Sequence, residues 1–152
     1  MQFTQHDIKK LREMTGAGVM DAKKALQEAG SFDDAIALLR KQGHASLSKK
    51  STRSAKQGIV VSYIHAGGKI GALLELNCET DFVARNDEFI KLANEIVLHI
   101  AAMGPADTEE LLAQPYVRET EKKIQDLIAE TVGKLGENIQ VGRFTRFVLG
   151  GE

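Results

Sequence analysis

The sequence predicts an α+β protein: an N-terminal bundle of three helices, then a three-stranded antiparallel sheet, in the order ββααβ, with two long helices on one face. Three observations predict it. Apolar residues recur at helical spacing through residues 1–42. The pattern changes at Gly58, where "GIVVSYIH" and "IGALLELNC" flank the turn sequence "AGGK". A long amphipathic stretch then fills 86–103, and the chain closes on the β-rich "NIQVGRFTRFVL".

The first helix is announced by "TQHD", a capping-box pattern with Asp in place of Glu, and carries Ile8 and Leu11 inward. "TGAG", residues 15–18, interrupts it with two glycines. A second helix presents Val19, Ala22, Leu26 and Ala29 on one face and stops at Gly30. "SFDD" opens the third, whose Phe32, Ala35, Ile36 and Leu39 fall at i, i+3, i+4 and i+7, and Gly43 closes it. Such a bundle is marginal alone. Residues 44–57, "HASLSKKSTRSAKQ", are polar and basic and read as a linker, in part helical. They form either a solvated tether or a nucleic-acid arm. The absence of interleaved aromatic residues for base stacking favours the tether. The expected division is thus 1–43, a 44–57 linker, and a 58–152 core.

In the core, Gly67-Gly68 supplies the hairpin turn, and Ile70, Ala72, Leu74, Leu76 and Cys78 share one face of the second strand. Asn86 suits a helix cap, with Asp87 and Glu88 at the positive end of the dipole. Phe89, Leu92, Ala93, Ile96, Val97, Ile100 and Ala101 make its apolar stripe, and Gly104-Pro105 stops it. "ADTEELLAQP" allows one helical turn. A last helix is expected from about Arg118 to Leu135, with Ile124, Leu127, Ile128 and Leu135 inward and Gly136 as its C-terminal glycine.

The strands have apolar residues to spare. The first offers Ile59, Val61 and Tyr63 to one face but Val60 and Ile64 to the other; the third offers Ile139, Val141 and Phe147 to one and Phe144 and Val148 to the other. Two helices cover one face, so something should cover the second. Each such side chain would contribute on the order of 1.5–3 kcal/mol on full burial. A second copy of the chain is the simplest cover, and packing by the linker or the first helices is the alternative.

The chain has 152 residues, 43% hydrophobic and 27% charged, with a net charge of −1, which gives no overall attraction to nucleic acid or membrane. The charge is unevenly spread: residues 1–58 hold 11 Lys/Arg against 6 Asp/Glu, the remainder 9 against 15, so two surfaces of different character are expected. One cysteine, Cys78, excludes an internal disulfide and fits a reducing compartment. With no apolar run of signal-peptide or membrane-spanning length, a cytoplasmic location is expected.

Catalytic motifs are not found. "GHASLSKKS" lacks the second glycine of a phosphate loop, having Ser48 there, and follows a helix instead of a strand. "TGAGVMD" has Asp21 where a dinucleotide fingerprint needs its third glycine. His6, His44, His65 and His99 share no i, i+4 face, so neither a metal nor a cofactor is expected. Glu79 and Asp81 could pair as acid and base, but a solvated rim is the commoner meaning. The chain reads as a binding protein and not an enzyme.

The informative stretch is "NCETDFVARNDEF", residues 77–89. It joins strand to helix at the sheet rim, acidic and aromatic at once. Phe82 either packs under its own helix or protrudes as an apolar anchor oriented by a neighbouring carboxylate. Spacing alone leaves both open.

"LREMTGAGVMDAKKAL", "LNCETDFVARN" and "GENIQVGRF", in that order and spanning nearly the whole chain, resemble elongation factor Ts. The resemblance implies a guanine-nucleotide exchange factor for elongation factor Tu, the GTPase that carries aminoacyl-tRNA to the ribosome. It implies that Thr80, Asp81, Phe82 and Val83 disturb the magnesium and phosphate site of that GTPase, Phe82 as a wedge and Asp81 holding it. It also implies that residues 1–43 form a ubiquitin-associated-like domain docking through Arg12, Val19, Met20 and Lys23. Longer family members have two related core halves and a helical insertion, and "GPADTEELLAQP" stands where the insertion would be. Short members dimerise through their sheets, some with a cysteine bridge in the last strand; Thr145 lies in the matching region, so a non-covalent homodimer is implied. A non-catalytic dimeric adaptor, binding a helical or ubiquitin-like partner, is the alternative. No nucleic-acid or membrane partner is expected.

Overall fold

A computed structural model describes residues 2–151, with the backbone alone for residues 46–48. Ser48, in the rejected phosphate-loop match, therefore has its side chain outside the described residues. The architecture is α+β: N-terminal helices, then an antiparallel sheet of three strands with helices.

Helix α1 (Gln5–Thr15) begins with the reciprocal box read from the sequence. The Asp7 amide donates to Thr4 Oγ at 3.2 Å, and the Thr4 amide donates to Asp7 at 2.8 Å. Helix α2 (Val19–Ala29) turns Ala22, Ala25 and Leu26 inward. Val19, expected on that inner face, is half exposed. At the first helical position it sits beyond the reach of the small cluster of Leu11, Ala22, Ala25, Leu26, Ala35, Ile36 and Leu39.

Helix α3 (Phe32–Lys50) does not stop at Gly43 but runs through it into the basic segment. The glycine marks a crossing: a Cβ there would touch the Ala129 carbonyl oxygen at 3.6 Å. One residue on, His44 Nε2 meets Asp126 Oδ1 at 2.5 Å. Beyond the helix, residues 51–56 are pinned and do not float. Asn138 Nδ2 donates to the Arg53 carbonyl at 2.7 Å, Gln140 Nε2 to the Ser51 carbonyl at 3.0 Å, and Arg53 pairs with Glu79 at 3.6 Å.

Strands β1 (Gln57–Ile64) and β2 (Ile70–Cys78) form the expected hairpin. Ala72, Leu74, Leu76 and Cys78 are buried, Ile70 partly so. Helix α4 (Asp81–Ala84) is a single turn after β2, and helix α5 (Asp87–Met103), capped by Asn86, lies across β1 and β2. All seven apolar-stripe residues of α5 are buried. Helix α6 (Thr108–Ala113) is capped by Asp107.

A correction follows. The charged "VRETEKK" does not begin the last helix; strands β3 (Pro115–Tyr116) and β4 (Glu119–Lys123) make a small hairpin first, and helix α7 spans Ile124–Leu135. Two buried polar side chains explain it. His99 of α5 accepts from the Val117 amide at Nδ1, 3.2 Å, and so donates from Nε2 to Gln114 Oε1 at 2.8 Å. Lys122, 8% exposed, reaches from β4 to the Met14 carbonyl at 3.1 Å and to Glu130 at 3.2 Å. It ties the end of α1 to α7, which packs against α3 and α5. Burial raises the Glu130 pKa, with Lys122 opposing.

His99 makes a prediction about pH. Burial lowers its pKa below the ordinary 6.5, since the imidazolium loses its hydration there. The unfolded chain then binds more protons than the folded one, so stability falls as pH drops from 6.5 toward the lowered value. The denaturation midpoint of the wild type should decline over that interval more steeply than that of a His99→Phe variant. Parallel pH profiles would overturn the assignment.

Strand β5 (Gln140–Val148) pairs antiparallel with β2, giving the order β1-β2-β5. Here a second correction arises. Leu74 faces Phe144 and Leu76 faces Val141, so Gly142 and Arg143 together oppose Glu75: a β-bulge. The extra residue reverses the alternation beyond it. Ile139, Val141 and Phe144 all pack on the core, and Phe147, expected beside Val141, points away. Gly142 suits the spot, since a Cβ would lie 2.6 Å from Glu75 Oε1.

Candidate functional site

The rim of the sheet carries a turn with two unlike sides. Cys78 ends β2 and donates from Sγ to the Thr80 carbonyl at 3.1 Å. Thr80 is extended and caps α4, its Oγ accepting from the Val83 amide at 3.3 Å. Val83 and Ala84 face the core, 6% and 2% exposed. Asp81, Phe82 and Arg85 face outward. The Asn86 amide returns to the Val83 carbonyl at 2.9 Å, and α5 starts at once. The turn is therefore anchored by β2 before it, by α5 after it and by two apolar side chains beneath.

Phe82 is 85% exposed, which settles the choice the spacing left open. Its neighbour fills the core position; in a helical turn successive side chains diverge by about 100°, so both cannot. Asp81 forms an exposed i, i+4 ion pair with Arg85. Such a pair adds little stability but restricts both side chains beside the ring.

Glu79 and Asp81, for which the sequence favoured a rim over an acid–base pair, are engaged separately: Glu79 accepts from the Asn138 amide at 2.8 Å, and Asp81 pairs with Arg85. Among the described residues, no group of three or more His, Cys, Asp or Glu could hold a metal ion, and no helix is long and apolar enough to cross a membrane.

Sequence reasoning gave no role to Glu137, which the fold brings to this turn. Its Oε1 accepts from the Glu79 amide at 3.2 Å and the Thr80 amide at 3.0 Å, and its Oε2 from the Thr80 hydroxyl at 2.7 Å. It lies just after Gly136, the left-handed cap of α7. The one signal was its place in "GENIQVGRF"; nothing local to either segment predicts their meeting.

On the N-terminal helices, Val19, Met20 and Lys23 are exposed along one side of the start of α2, Met20 at 74%. Arg12 is exposed on α1, and its Nε donates to the Ala17 carbonyl at 3.4 Å, at the turn into α2. The structure thus brings these four to one end of the helix pair.

The profile of the family described as Elongation factor TS matches residues 79–151, a span that opens at the turn and includes Glu137. The Elongation factor Ts of Thermotoga neapolitana is 42% identical over 196 aligned residues, covering all of both chains. The chain belongs to the elongation factor Ts family. That of Thermodesulfovibrio yellowstonii is 43% identical, covering 99% of this chain and 98% of its own, and that of an Anaeromyxobacter species 44% identical, covering 94% and 86%. These alignments exceed the 152 residues present here, so the elongation factor Ts relatives fill positions that this chain lacks. Family membership makes the chain a translation elongation factor.

Proposed function

We propose that the chain accelerates GDP release from elongation factor Tu, with Phe82 as the wedge. The observation that carries this reading is a phenylalanine 85% exposed on a turn whose backbone is anchored from three sides. A free apolar ring on a mobile loop would lose much of its binding energy to ordering; here that loss has already been met by folding. Phosphate affinity depends on the magnesium charge and on a preformed nest of N–H groups, so a small displacement of either weakens nucleotide binding. By linkage, factor and nucleotide then weaken each other equally, and no covalent step is needed. Asp81, held by Arg85, flanks the ring, Thr80 caps the turn, and Val83 supports it from within. The exposed group of Arg12, Val19, Met20 and Lys23 supplies a second contact. Release of a fluorescent GDP from the cognate GTPase tests the proposal: the off-rate should rise with the concentration of this chain. Binding without a change in off-rate would favour the passive adaptor.

The outer sheet face supports association of two copies. Val60, Ile64, Phe147 and Leu149 are 63–74% exposed there and at the adjoining strand end, with Leu73 at 47%, and among the described residues no helix packs over them. Arg143 and Glu75 pair across the bulge at 3.1 Å on the same side. A second copy offers the same apolar patch to this one. Sedimentation over a concentration series should give a non-covalent dimer; a strict monomer throughout would remove it.

A further inference from the structure

We propose that Glu137 is a positioning residue for Phe82, setting the ring's direction through Thr80; this rests on the wedge reading above. Helix α4 has four residues, far too few to hold its own shape. What fixes it is packing of Val83 and Ala84 below and the cap at its start. The cap is itself oriented. The Thr80 hydroxyl proton is committed to Glu137 Oε2, which leaves the oxygen's lone pairs for the Val83 amide. The other Glu137 oxygen takes the amides of Glu79 and Thr80. All three groups donate here, and a carboxylate accepts all of them with charge-assisted bonds; an amide would keep the two N–H groups on its oxygen but turn the Thr80 hydroxyl from donor to acceptor, loosening the cap.

The clamp is reciprocal. Glu137 holds the backbone leaving β2, and Glu79 holds the Asn138 amide entering β5. Asn138 in turn is wholly buried and bonded to the Arg53 carbonyl. The direction of Phe82 is thereby referred to the body of the sheet and not to the turn alone.

The test uses the full chain and GDP release from the cognate GTPase. Glu137→Ala should lower the maximal release rate about tenfold, the loss expected when hydrogen bonds to a charged group are removed. Glu137→Gln, nearly isosteric, should give a smaller loss, and amide hydrogen exchange at Thr80 and Val83 should quicken in both variants. The deciding comparison is the double variant Phe82→Ala/Glu137→Ala. If Glu137 acts through the ring, the double variant is no slower than Phe82→Ala alone. Losses that multiply would assign Glu137 a general structural role and overturn the proposal. So would an unchanged rate for Glu137→Ala when Phe82→Ala is slow. A full rate for Phe82→Ala would overturn the wedge itself, and the positioning role with it.

Discussion

Phe82→Ala is expected to slow factor-stimulated GDP release by roughly thirty- to a hundredfold, corresponding to a central aromatic anchor worth about 2–3 kcal/mol. The loss should fall on the rate and leave the fold untouched. A side chain 85% exposed contributes little to its own domain, and substitutions of that kind shift stability by no more than about 0.5 kcal/mol. The adjacent Val83→Ala supplies the contrast. Val83 is 6% exposed, so its truncation should lower the denaturation midpoint, and affect exchange only as the turn loosens. Stopped-flow release of a fluorescent GDP, with denaturant titrations of both variants, separates the two residues. Wild-type acceleration by Phe82→Ala would leave the ring without a task.

Phe147→Asp carries the second large effect. Phe147 is 72% exposed and lies opposite Gly71 in the register, over which the Ile64 side chain leans from the other neighbouring strand. In a face-to-face dimer the ring would sit within the contact. A carboxylate there would have to be desolvated without a counter-charge, so the dimer should weaken by at least a hundredfold. The isolated chain should fold as before, because the substituted position is open to solvent. Sedimentation equilibrium of wild type and variant checks this. A variant that dimerises like the wild type would move the contact elsewhere.

How much of this was legible in the sequence depended on whether the information was local. The stripe of α5 and the hairpin were legible because each is a period imposed by one element. Helix α3 was cut short because Gly43 resembles a C-cap, whereas its neighbour in space is Ala129, far along the chain. The hairpin at 115–123 was hidden by residues that suit helices; it depends on a buried His99, which holds it from α5, and on its own Lys122, which reaches out to α1 and α7. At the candidate site, the outward Phe82 was one of two readings, decided only when Val83 was seen to occupy the core. The role of Glu137 was not legible beyond its place in "GENIQVGRF", because it lies 57 residues from the hydroxyl it accepts from.

The irregularity opposite Glu75 has a wider meaning. Two aromatic rings, Phe144 and Phe147, stand three positions apart, and a regular strand would send them to opposite sides in the reverse sense. The bulge decides which ring the molecule keeps for itself: by taking up the extra residue it holds Phe144 inward and Phe147 outward. Deleting Gly142 would leave Arg143 alone opposite Glu75 and Phe144 still opposite Leu74, so it should straighten the strand without moving either ring; the distortion absorbs a residue that would otherwise turn the outer side of the strand inward.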